Sequence, residues 1–336
     1  MELSMLSTVS NGNLIGHSLD IENFSLDSRN IEQGDLYIAL QGINFDGHDF
    51  VEEAISKGAS AAVVHKSIRS DIPHILVNDT YDFMKSVALF NRSNFEGKVI
   101  GITGTNGKTT IASLLYGLFE ALGHSCGLIS TVKMAYLKEE RVATHTTPDV
   151  LEVNKFLIEI VKKGVTHCFM EVSSHGIAQG RIEGLTFAGG IFTNLTHEHL
   201  DYHGDFKTYR DTKKQFFDQL APTAFALTNL DDKNGVYMLQ NTKAKKATYA
   251  LKCHADYKAQ LLECEFSGML LKIQGQEVWT NLVGDFNAQN LLAVYAAAEL
   301  LEAPPLSILK QISLLKPTRG RFEILRTKEN ITVVID

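Results

Sequence analysis

The chain has 336 residues, of which 44% are hydrophobic, and its formal net charge is -7 with a pI near 6.0. This length and apolar content predict a globular protein with two domains. The acidic balance gives no general attraction to nucleic acid or to an anionic membrane, so local groups must hold any bound anion. No stretch reaches the ~18 apolar residues of a membrane span, and the N-terminus lacks a secretory signal pattern, which predicts a cytoplasmic protein.

The cysteines support the same location. The chain has four, Cys126, Cys168, Cys253 and Cys264, and none of them forms a CxxC pair. The first two fall in predicted buried strands, where a small apolar thiol is the usual interpretation. We therefore expect free thiols in a reducing compartment.

The first part of the chain predicts a small α/β domain over residues 1–97. The predicted strands are Asp35–Leu40, Ala61–Val64 and His74–Asn78, and the predicted helices are Phe50–Lys57 and Tyr81–Phe90. The polar segment Asn91–Lys98 that follows is the best candidate for a linker.

A phosphate-binding loop is predicted next. The apolar run Val99–Thr103 breaks into glycines, and then a lysine and two threonines precede a helical pattern. Glycines let backbone N–H groups converge on phosphate oxygens, Lys108 supplies a charge for the outer phosphates, and the Thr109 hydroxyl can bind magnesium. The strict motif has another glycine where Ile102 stands, and a plain glycine-rich turn is the alternative. The lysine and threonines before the helix favour ATP binding.

From Val99 onward, strands alternate with helices, which predicts a doubly wound, mostly parallel sheet in a central domain over residues 98–325. The predicted strands are 99–103, 126–131, 166–172, 188–195 and 224–228, and the helices are 108–122, 149–163, 205–220 and 287–301. Short alternating runs within 246–283 predict a small antiparallel subsheet. Ligands of such sheets bind at the carboxyl ends of the strands.

Two of these strand ends carry residues suited to binding a metal or a ligand. Glu171 ends a buried strand close to the phosphate loop, where it could hold magnesium directly or through water, or simply cap the following turn. The segment Thr193–Gly204 follows another strand and contains three histidines and two carboxylates. This cluster favours a ligand or metal site, although we do not expect all three histidines to take part.

The helix after this cluster contains two adjacent lysines. An apolar stripe of aromatic and leucine side chains includes position 213, whereas Lys214 shares the polar face with Lys207 and Asp218. A lysine turned toward the core should be paired, neutral or chemically modified. The alternative is that Lys213 extends its amine to the surface.

Taken together, these motifs resemble the ATP-dependent Mur ligases of peptidoglycan synthesis, and among them the branch that adds the third amino acid to UDP-N-acetylmuramoyl-dipeptide. The resemblance covers essentially the whole chain. Its carriers are Leu26–Arg29, Gly34–Leu36, Asp46–His48, Gly104–Thr110, Thr146–Pro148, Glu171–His175, Asn194–Gly204, Gly284–Asn290 and Gly320–Glu323.

The resemblance implies a role for each matching residue. ATP contacts are implied for Gly104, Thr105, Asn106, Gly107, Lys108, Thr109, Thr110, Asn287, Asn290 and Arg321. Magnesium ligands are implied for Thr109, Glu171, His199 and Lys213, the last as a carbamate; Lys108, Lys213 and His199 are the implied catalytic residues. Ser28 matches a uridine-side contact, and Thr146, Thr147, Ser173, Gln179 and Arg181 match contacts to the muramoyl-dipeptide. Asn290 could instead hydrogen-bond its own helix start.

The implied reaction has two steps. ATP phosphorylates the terminal carboxylate of UDP-MurNAc-L-Ala-D-Glu, and the amine of an incoming amino acid then displaces phosphate from the acyl phosphate. Lys108 and magnesium would offset charge on the transferred group, while Arg181 and the threonines hold the acceptor in line. The resemblance implies a monomer with no nucleic-acid or membrane partner.

The chain departs from the family at Thr332–Asp336, where the family continues into a third domain that binds the incoming amino acid. Residues 326–336 would be its start. A fragment of a ligase, a short form that binds without ligating, and a chain completed by a partner are the three explanations, and we favour the fragment. A binding module is therefore the rival function. A folate–glutamate ligase has a similar loop, but Asp27–Arg29 and Thr146–Pro148 argue against it.

Overall fold

The structure is a computed structural model that describes residues 1–42, 45–68, 72–90, 97–318, 320–326 and 332–335. The chain forms two compact units, Met1–Ser93 with Val150–Asn154, and Asn94–Asp149 with Lys155–Asp336. Most of the predicted linker Asn91–Lys98 lies outside the described residues, and Lys98 is the first residue of a strand.

The elements have the following bounds. The helices are α1 Leu3–Val9, α2 Val51–Ser56, α3 Thr80–Phe90, α4 Lys108–Ala121, α5 Val150–Lys162, α6 Ser174–Ala178, α7 Leu200–His203, α8 Phe206–Asp218, α9 Gly235–Met238, α10 Asp285–Leu300 and α11 Pro305–Ile312. The first nine strands are β1 Asn13–Ile15, β2 Phe24–Ser25, β3 Leu36–Ile38, β4 Ala61–Val64, β5 His74–Leu76, β6 Lys98–Thr103, β7 Cys126–Ile129, β8 Lys133–Tyr136 and β9 Glu139–Val142. The others are β10 His167–Glu171, β11 Gly189–Phe192, β12 Phe225–Asn229, β13 Lys245–Ala250, β14 Tyr257–Glu265, β15 Gly268–Ile273, β16 Gln276–Thr280, β17 Glu323–Arg326 and β18 Thr332–Ile335.

The first unit is built on a five-stranded sheet in the order β1-β5-β4-β3-β2, in which only β1 is antiparallel to its neighbour. Strand β4 shows why both faces are covered. Ala61 and Val63 pack into a core with α1 and α3, whereas Ala62 and Val64 pack into a second core with α2. Alternate residues of a strand point to opposite faces, so this continuous apolar run requires helices on both sides.

The second unit contains an eleven-stranded sheet in the order β16-β15-β14-β13-β12-β11-β6-β10-β7-β8-β9. Seven neighbouring strands pair in parallel: β14, β13, β12, β11, β6, β10 and β7. Antiparallel strands extend the sheet at both ends, β15 and β16 beyond β14, and β8 and β9 beyond β7. Helices α4 and α10 belong to the large core on one face. On the opposite face, Gly101 of β6 and Gly190 of β11 leave room for the Phe216 ring of α8, which a Cβ at either position would meet at 2.5 or 2.8 Å.

The predicted elements and the mixed α/β fold are confirmed, with bounds that shift by a few residues. One detail of the predicted subsheet was wrong. β13 and the start of β14 are parallel additions to the main sheet, and only β14 to β16 pair antiparallel. The hairpin β8–β9 was not predicted, because all four residues of β9 are exposed and give no apolar alternation.

Two further expectations concern burial and membrane span. Cys126 and Cys168 lie fully buried in β7 and β10, as their apolar surroundings predicted. Within the described ranges, no helix has the length and apolar character needed to cross a bilayer.

Parallel pairing places the carboxyl ends of β7, β10, β6 and β11 side by side. The segments that leave this edge begin at Ser130, Val172, Gly104 and Thr193. Polar residues that the sequence singled out lie in these segments or next to them. We therefore expect a site at this edge of the sheet.

Candidate active site

The phosphate loop joins β6 to α4, and its glycines are required by both conformation and space. Gly104 and Gly107 have φ angles of +144° and +84°. A Cβ at Gly104 would lie 1.9 Å from the Thr193 hydroxyl, and one at Gly107 would lie 2.6 Å from Asn290 Oδ1. Only glycine tolerates both demands without displacing a neighbour.

The loop is held from the next strand. Thr105 N–H donates to the Asn194 carbonyl at 2.8 Å, and Asn106 N–H donates to the Asn194 side-chain oxygen at 2.9 Å. The Thr193 hydroxyl donates in turn to the Asn106 carbonyl at 2.6 Å. The amides of residues 105 and 106 are therefore engaged within the protein, which leaves the first turn of α4, beginning at Lys108, as the helix N-terminus available to phosphate.

Two lysines converge on one carbonyl of this loop. Lys108 Nζ donates to the Gly104 carbonyl at 3.0 Å and to the Thr105 carbonyl at 2.6 Å, and Lys213 Nζ also donates to the Gly104 carbonyl at 3.0 Å. Burial lowers the pKa of Lys108. Burial and then the charge of Lys108 hold the pKa of Lys213 well below its usual value, with Glu198 acting in the opposite direction.

The inward direction predicted for Lys213 is confirmed, because the side chain is 1% exposed. Its amine does not reach the surface. Lys214, which shares the polar face, is also buried, and its Nζ forms an ion pair with Asp218 at 2.6 Å. Periodicity distinguished the two lysines correctly, but it did not show that the polar face is covered at Lys214.

Glu171 ends β10 next to the loop and is fully buried. Its carboxylate accepts from the Thr131 amide at 2.7 Å and from the Thr131 hydroxyl at 3.1 Å, and the Thr109 side chain also hydrogen-bonds to it. Burial raises the pKa of Glu171, while the Thr131 amide and Lys108 oppose that shift. The carboxylate thus holds the turn after β7 and not the turn after its own strand, which the capping alternative proposed, and it also faces Thr109 and Lys108.

The three histidines occupy different surroundings. His199 has a left-handed conformation, with φ +57°, and lies exposed before α7 with its ring 5.0 Å from that of His175 and 6.1 Å from that of Tyr209. His203 is buried, whereas His197 stacks on Phe206 at 4.6 Å. The three histidines therefore differ in burial and in their neighbours, and which of them take part in a site stays a prediction.

Oxygen donors suited to magnesium meet at Thr109 and Glu171. Mg²⁺ prefers one or two protein oxygens together with phosphate oxygens and water, and a fully buried carboxylate beside a hydroxyl fits that preference. In the part of the chain that the structure describes, no three His, Cys, Asp or Glu side chains form a metal-binding group.

The residues expected to contact the acceptor form one hydrogen-bonded network beside Glu171. Thr147 is fully buried; its hydroxyl donates to the Glu171 carbonyl and accepts from the Ser173 amide, both at 2.9 Å. Arg181 donates to the Thr147 carbonyl at 2.7 Å and to the Gln179 side chain at 2.9 Å. Thr147 thus supports the turn after β10 and fixes Arg181.

The two other acceptor residues differ in how much of their polar group is engaged. The Ser173 hydroxyl accepts from the Gly176 amide at 3.0 Å and so caps α6. The Thr146 side chain is partly exposed, and its hydroxyl lies 3.1 Å from the Thr131 hydroxyl, which places it next to Glu171.

The expected nucleotide contacts on α10 adjoin the loop. Asn287 donates to the Val283 carbonyl at 2.7 Å, and Asn290 donates to Asn287 Oδ1 at 3.0 Å. This is the helix-start bonding raised as the alternative for Asn290, yet its Oδ1 also faces Gly107. Arg321 is exposed, and its charge lowers the pKa of Lys108.

Ser28 belongs to the first unit and is described with it. It is 6% exposed, and its hydroxyl donates to Glu53 at 3.2 Å. Asp27 caps the following turn by accepting from the Arg29 amide.

Sequence reasoning did not single out Thr131, Thr193 or Asn194 as site residues, and it did not separate Glu198 from its neighbours. Thr131 holds Glu171, and the other two hold the loop. All four lie within a few residues of the carboxyl end of β7 or β11, so the rule that ligands gather at that edge could have found them.

The sequence profile of the Mur ligase middle domain matches residues 102–298, and that of the Mur ligase family catalytic domain matches residues 20–89. The chain belongs to the Mur ligase family. Members of this family are ATP-dependent ligases, and they use Mg²⁺.

Similar curated proteins are UDP-N-acetylmuramoyl-L-alanyl-D-glutamate–2,6-diaminopimelate ligases. That of Phocaeicola vulgatus is 48% identical over 95% of this chain and 67% of its own length. That of Parabacteroides distasonis is 46% identical over the same shares of the two chains. This Mur ligase chain therefore spans about two thirds of the length of these relatives.

Solved structures agree on the fold. A UDP-N-acetylmuramoyl-L-alanyl-D-glutamate–2,6-diaminopimelate ligase superposes with a TM-score of 0.75 at 28% identity, covering 92% of this chain and 66% of that one. MurF from Acinetobacter baumannii gives the same TM-score at 20% identity, covering 97% and 70% of the two chains. The second likeness concerns the fold alone.

Proposed function

We propose that this Mur ligase chain binds ATP and UDP-MurNAc-L-Ala-D-Glu and phosphorylates the terminal carboxylate of the dipeptide, the first half of amide-bond formation with a third amino acid in cytoplasmic peptidoglycan synthesis. The observation that carries the proposal is the grouping of Lys108, Thr109 and Glu171, with Lys213 on the same loop carbonyl as Lys108. The similarity to 2,6-diaminopimelate ligases supports the choice of acceptor and makes diaminopimelate the first amino acid to test.

In the proposed reaction the carboxylate of the dipeptide attacks the γ-phosphorus of ATP and ADP leaves. The first turn of α4 and Lys108 bind the phosphates, with Asn287, Asn290 and Arg321 around the nucleotide. Lys108 offsets the negative charge that grows on the transferred group. Arg181, fixed by Thr147 and Gln179, holds the acceptor carboxylate in line for attack.

We assign magnesium to Thr109, Glu171 and His199, with a carbamate on Lys213. The ion supplies positive charge against the phosphate oxygens when it is bound. The residues of the chain prepare for it. Thr131 fixes the Glu171 carboxylate with two hydrogen bonds, and the His199 ring lies 5.0 Å from that of His175 and 6.1 Å from that of Tyr209.

We propose further that the first unit, which contains Ser28, binds the uridine end of the acceptor. The sequence match at residues 20–89 supports a role in the family activity. A hydroxyl that already donates to Glu53 can still accept a hydrogen bond from a uracil N–H. The variant Ser28→Ala tests this assignment through acceptor affinity alone.

Calorimetry with ATP–Mg²⁺ and with the UDP-MurNAc-dipeptide, followed by an ADP-release assay, tests the proposal. We expect both ligands to bind and ADP release to require the dipeptide. The assay with and without diaminopimelate or lysine then identifies the amino acid, if any, that completes ligation. The rival function, a non-catalytic binding module, predicts binding of both ligands without ADP release.

A further inference from the structure

Two buried polar atoms beside Lys213 have no hydrogen-bond partner. They are Oγ1 of Thr103, which is fully buried at the end of β6, and Nε2 of His203, whose residue is 8% exposed. Native proteins satisfy nearly all buried polar atoms, and each exception has a cost in stability that calls for an explanation. Neither residue belongs to the set to which the family resemblance assigned a role.

Thr103 ends β6, and its side chain lies on the side of the sheet that α8, the helix of Lys213, covers. Its side chain points to the same face of β6 as Gly101, which contacts the Phe216 ring on α8. Helix α8 connects the adjacent parallel strands β11 and β12, so it runs opposite to them, and Lys213 comes one turn before Phe216, toward the carboxyl ends of the strands. The Lys213 amine donates to the carbonyl of Gly104, the next residue after Thr103.

His203 approaches the same amine from α7. Its ring lies 5.3 Å from the ring of Tyr209, and Lys213 Nζ lies 4.8 Å from the centroid of that same ring. Tyr209 is itself fixed, because it is fully buried and its hydroxyl hydrogen-bonds to Thr105 Oγ1 at 3.1 Å. One potential donor thus neighbours Lys213 through the Tyr209 ring, and the other belongs to the residue before the carbonyl that the Lys213 amine contacts.

We propose that Thr103 and His203 are positioning residues for a carbamate on Lys213, each donating one hydrogen bond to its carboxylate oxygens. This inference rests on the proposed function, which includes that carbamate. The neutral Lys213 amine attacks the carbon of CO₂, one C=O electron pair moves to oxygen, and a proton leaves to water, giving –NH–COO⁻ and H₃O⁺. The remaining N–H can still donate to the Gly104 carbonyl.

The hydrogen-bonding properties of Thr103 and His203 favour a carbamate. A carboxylate has only acceptors, and a Thr hydroxyl and a His N–H are both able to donate. Beside the unmodified Lys213 side chain, whose amine donates to the Gly104 carbonyl, neither atom has a partner. Adding CO₂ supplies two acceptor oxygens to which both groups can donate.

The test measures carbamate directly rather than activity. The chain is equilibrated with ¹³C-bicarbonate, and the carbamate signal is followed by ¹³C NMR as the bicarbonate concentration rises. Lys213→Met identifies the signal. We expect Thr103→Val and His203→Leu each to require about tenfold more CO₂ for half occupancy, the effect of losing one hydrogen bond to a charged group. Thr103→Ser and His203→Gln keep a donor and should stay within about threefold of the parent.

The possible outcomes distinguish a positioning role from a purely structural one. Thr103→Val replaces an unsatisfied hydroxyl with a methyl group of the same shape, so a purely structural role predicts an unchanged or more stable protein and an unchanged CO₂ requirement. That result, or equal effects from Thr103→Ser, would overturn the inference, as would a water that satisfies both atoms. Absence of the signal from the parent chain would overturn the carbamate as well, while ATP binding by calorimetry would show that the nucleotide function stands independently.

Discussion

Single residues of the phosphate loop are constrained by their surroundings as much as by the ligand they are proposed to bind. Gly104 faces Thr193 and Gly107 faces Asn290, so each contact joins the loop to a different strand or helix of the core. The two glycines are therefore needed for packing as well as for the turn. The glycine that the strict motif has in place of Ile102 is not needed for the turn. Ile102 is fully buried within β6 and needs no special conformation.

Gly107→Ala should lower the free energy of unfolding by about 2 kcal/mol and weaken ATP binding. The added Cβ would strain the left-handed backbone and would also lie 2.6 Å from Asn290 Oδ1. Gly123→Ala is the matched control. It has φ +89° but nothing within 4 Å, so it should show backbone strain alone, about 1 kcal/mol. Urea denaturation and calorimetry measure the two effects, and equal costs for the two variants would contradict the steric argument.

Lys213→Met should weaken Mg²⁺–ATP binding by at least about tenfold while leaving the fold as stable or more stable, because an apolar side chain replaces a fully buried ionisable group. Lys207→Met, at an exposed position of the same helix, is the control and should change neither quantity. Calorimetry with and without magnesium gives the affinities. A Lys213→Met chain that binds Mg²⁺–ATP like its parent would rule out the assigned role.

The pKa of His167 makes stability depend on pH. Burial, followed by the charges of His124 and Lys98, lowers this pKa to about 4. Between pH 6.5 and 4 the unfolded chain then binds the proton and the folded chain does not, so stability falls as the pH falls through that range. From pH 7 to pH 4.5, His167 should account for a loss of about 2 kcal/mol.

His167→Phe removes this proton and should flatten the fall by that amount, since a phenyl ring can keep the contacts with Phe119 and Phe169. His254→Gln changes an exposed histidine of the same unit and serves as the control. Urea denaturation at both pH values gives the slopes. Identical slopes for the parent and His167→Phe would refute the assignment.

At the scale of elements, α4 carries the phosphate loop and has one glycine in its interior. Gly117→Ala should raise the free energy of unfolding by about 0.5 to 1 kcal/mol, because alanine is the better helix former. A Cβ there would only touch Leu315 at an ordinary 3.6 Å. Thermal and urea denaturation test this, with Gly123→Ala, beyond the helix end, expected to change stability in the opposite direction. A destabilised Gly117→Ala chain would show that α4 is packed more tightly than this contact indicates.

Elements with strong periodicity were predictable, and short ones were not. The five central strands are continuous apolar runs, and α5 and α8 have clear apolar faces, so pattern alone located them within a few residues. Helices α6 and α7 have five and four residues, too few to show a period. α6 starts because Ser173 caps it, and that hydroxyl was expected to serve only the acceptor.

At the scale of the whole molecule, the net charge of -7 opposes anion binding, whereas the half-buried Lys108 attracts phosphate. Salt screens the dispersed surface charges more strongly than a partly buried contact. Raising the salt concentration from about 50 to about 500 mM should therefore change the ATP affinity by less than about threefold. Calorimetry at the two concentrations tests this, and a steep loss of affinity would show that exposed cations such as Arg321 dominate binding.

The acceptor offers an internal comparison in the same experiment. Its proposed partners include Arg181, which is half-buried like Lys108 and is fixed by two hydrogen bonds. Salt should thus weaken dipeptide binding by a similarly small factor. The two ligands titrated on the same sample provide each other's control.

The sequence by itself determined the phosphate loop, the parallel sheet around it and the inward direction of Lys213, because these follow from local patterns: apolar runs, glycines at a strand end and helical periodicity. It also carried the resemblance to the Mur ligases. Only the tertiary structure decided which polar groups meet. Thr131 holds Glu171 across 40 residues, and Lys213 reaches Gly104 across 109. Such contacts depend on strand order and crossover direction, which no local pattern encodes, and the same is true of the two unsatisfied atoms beside Lys213.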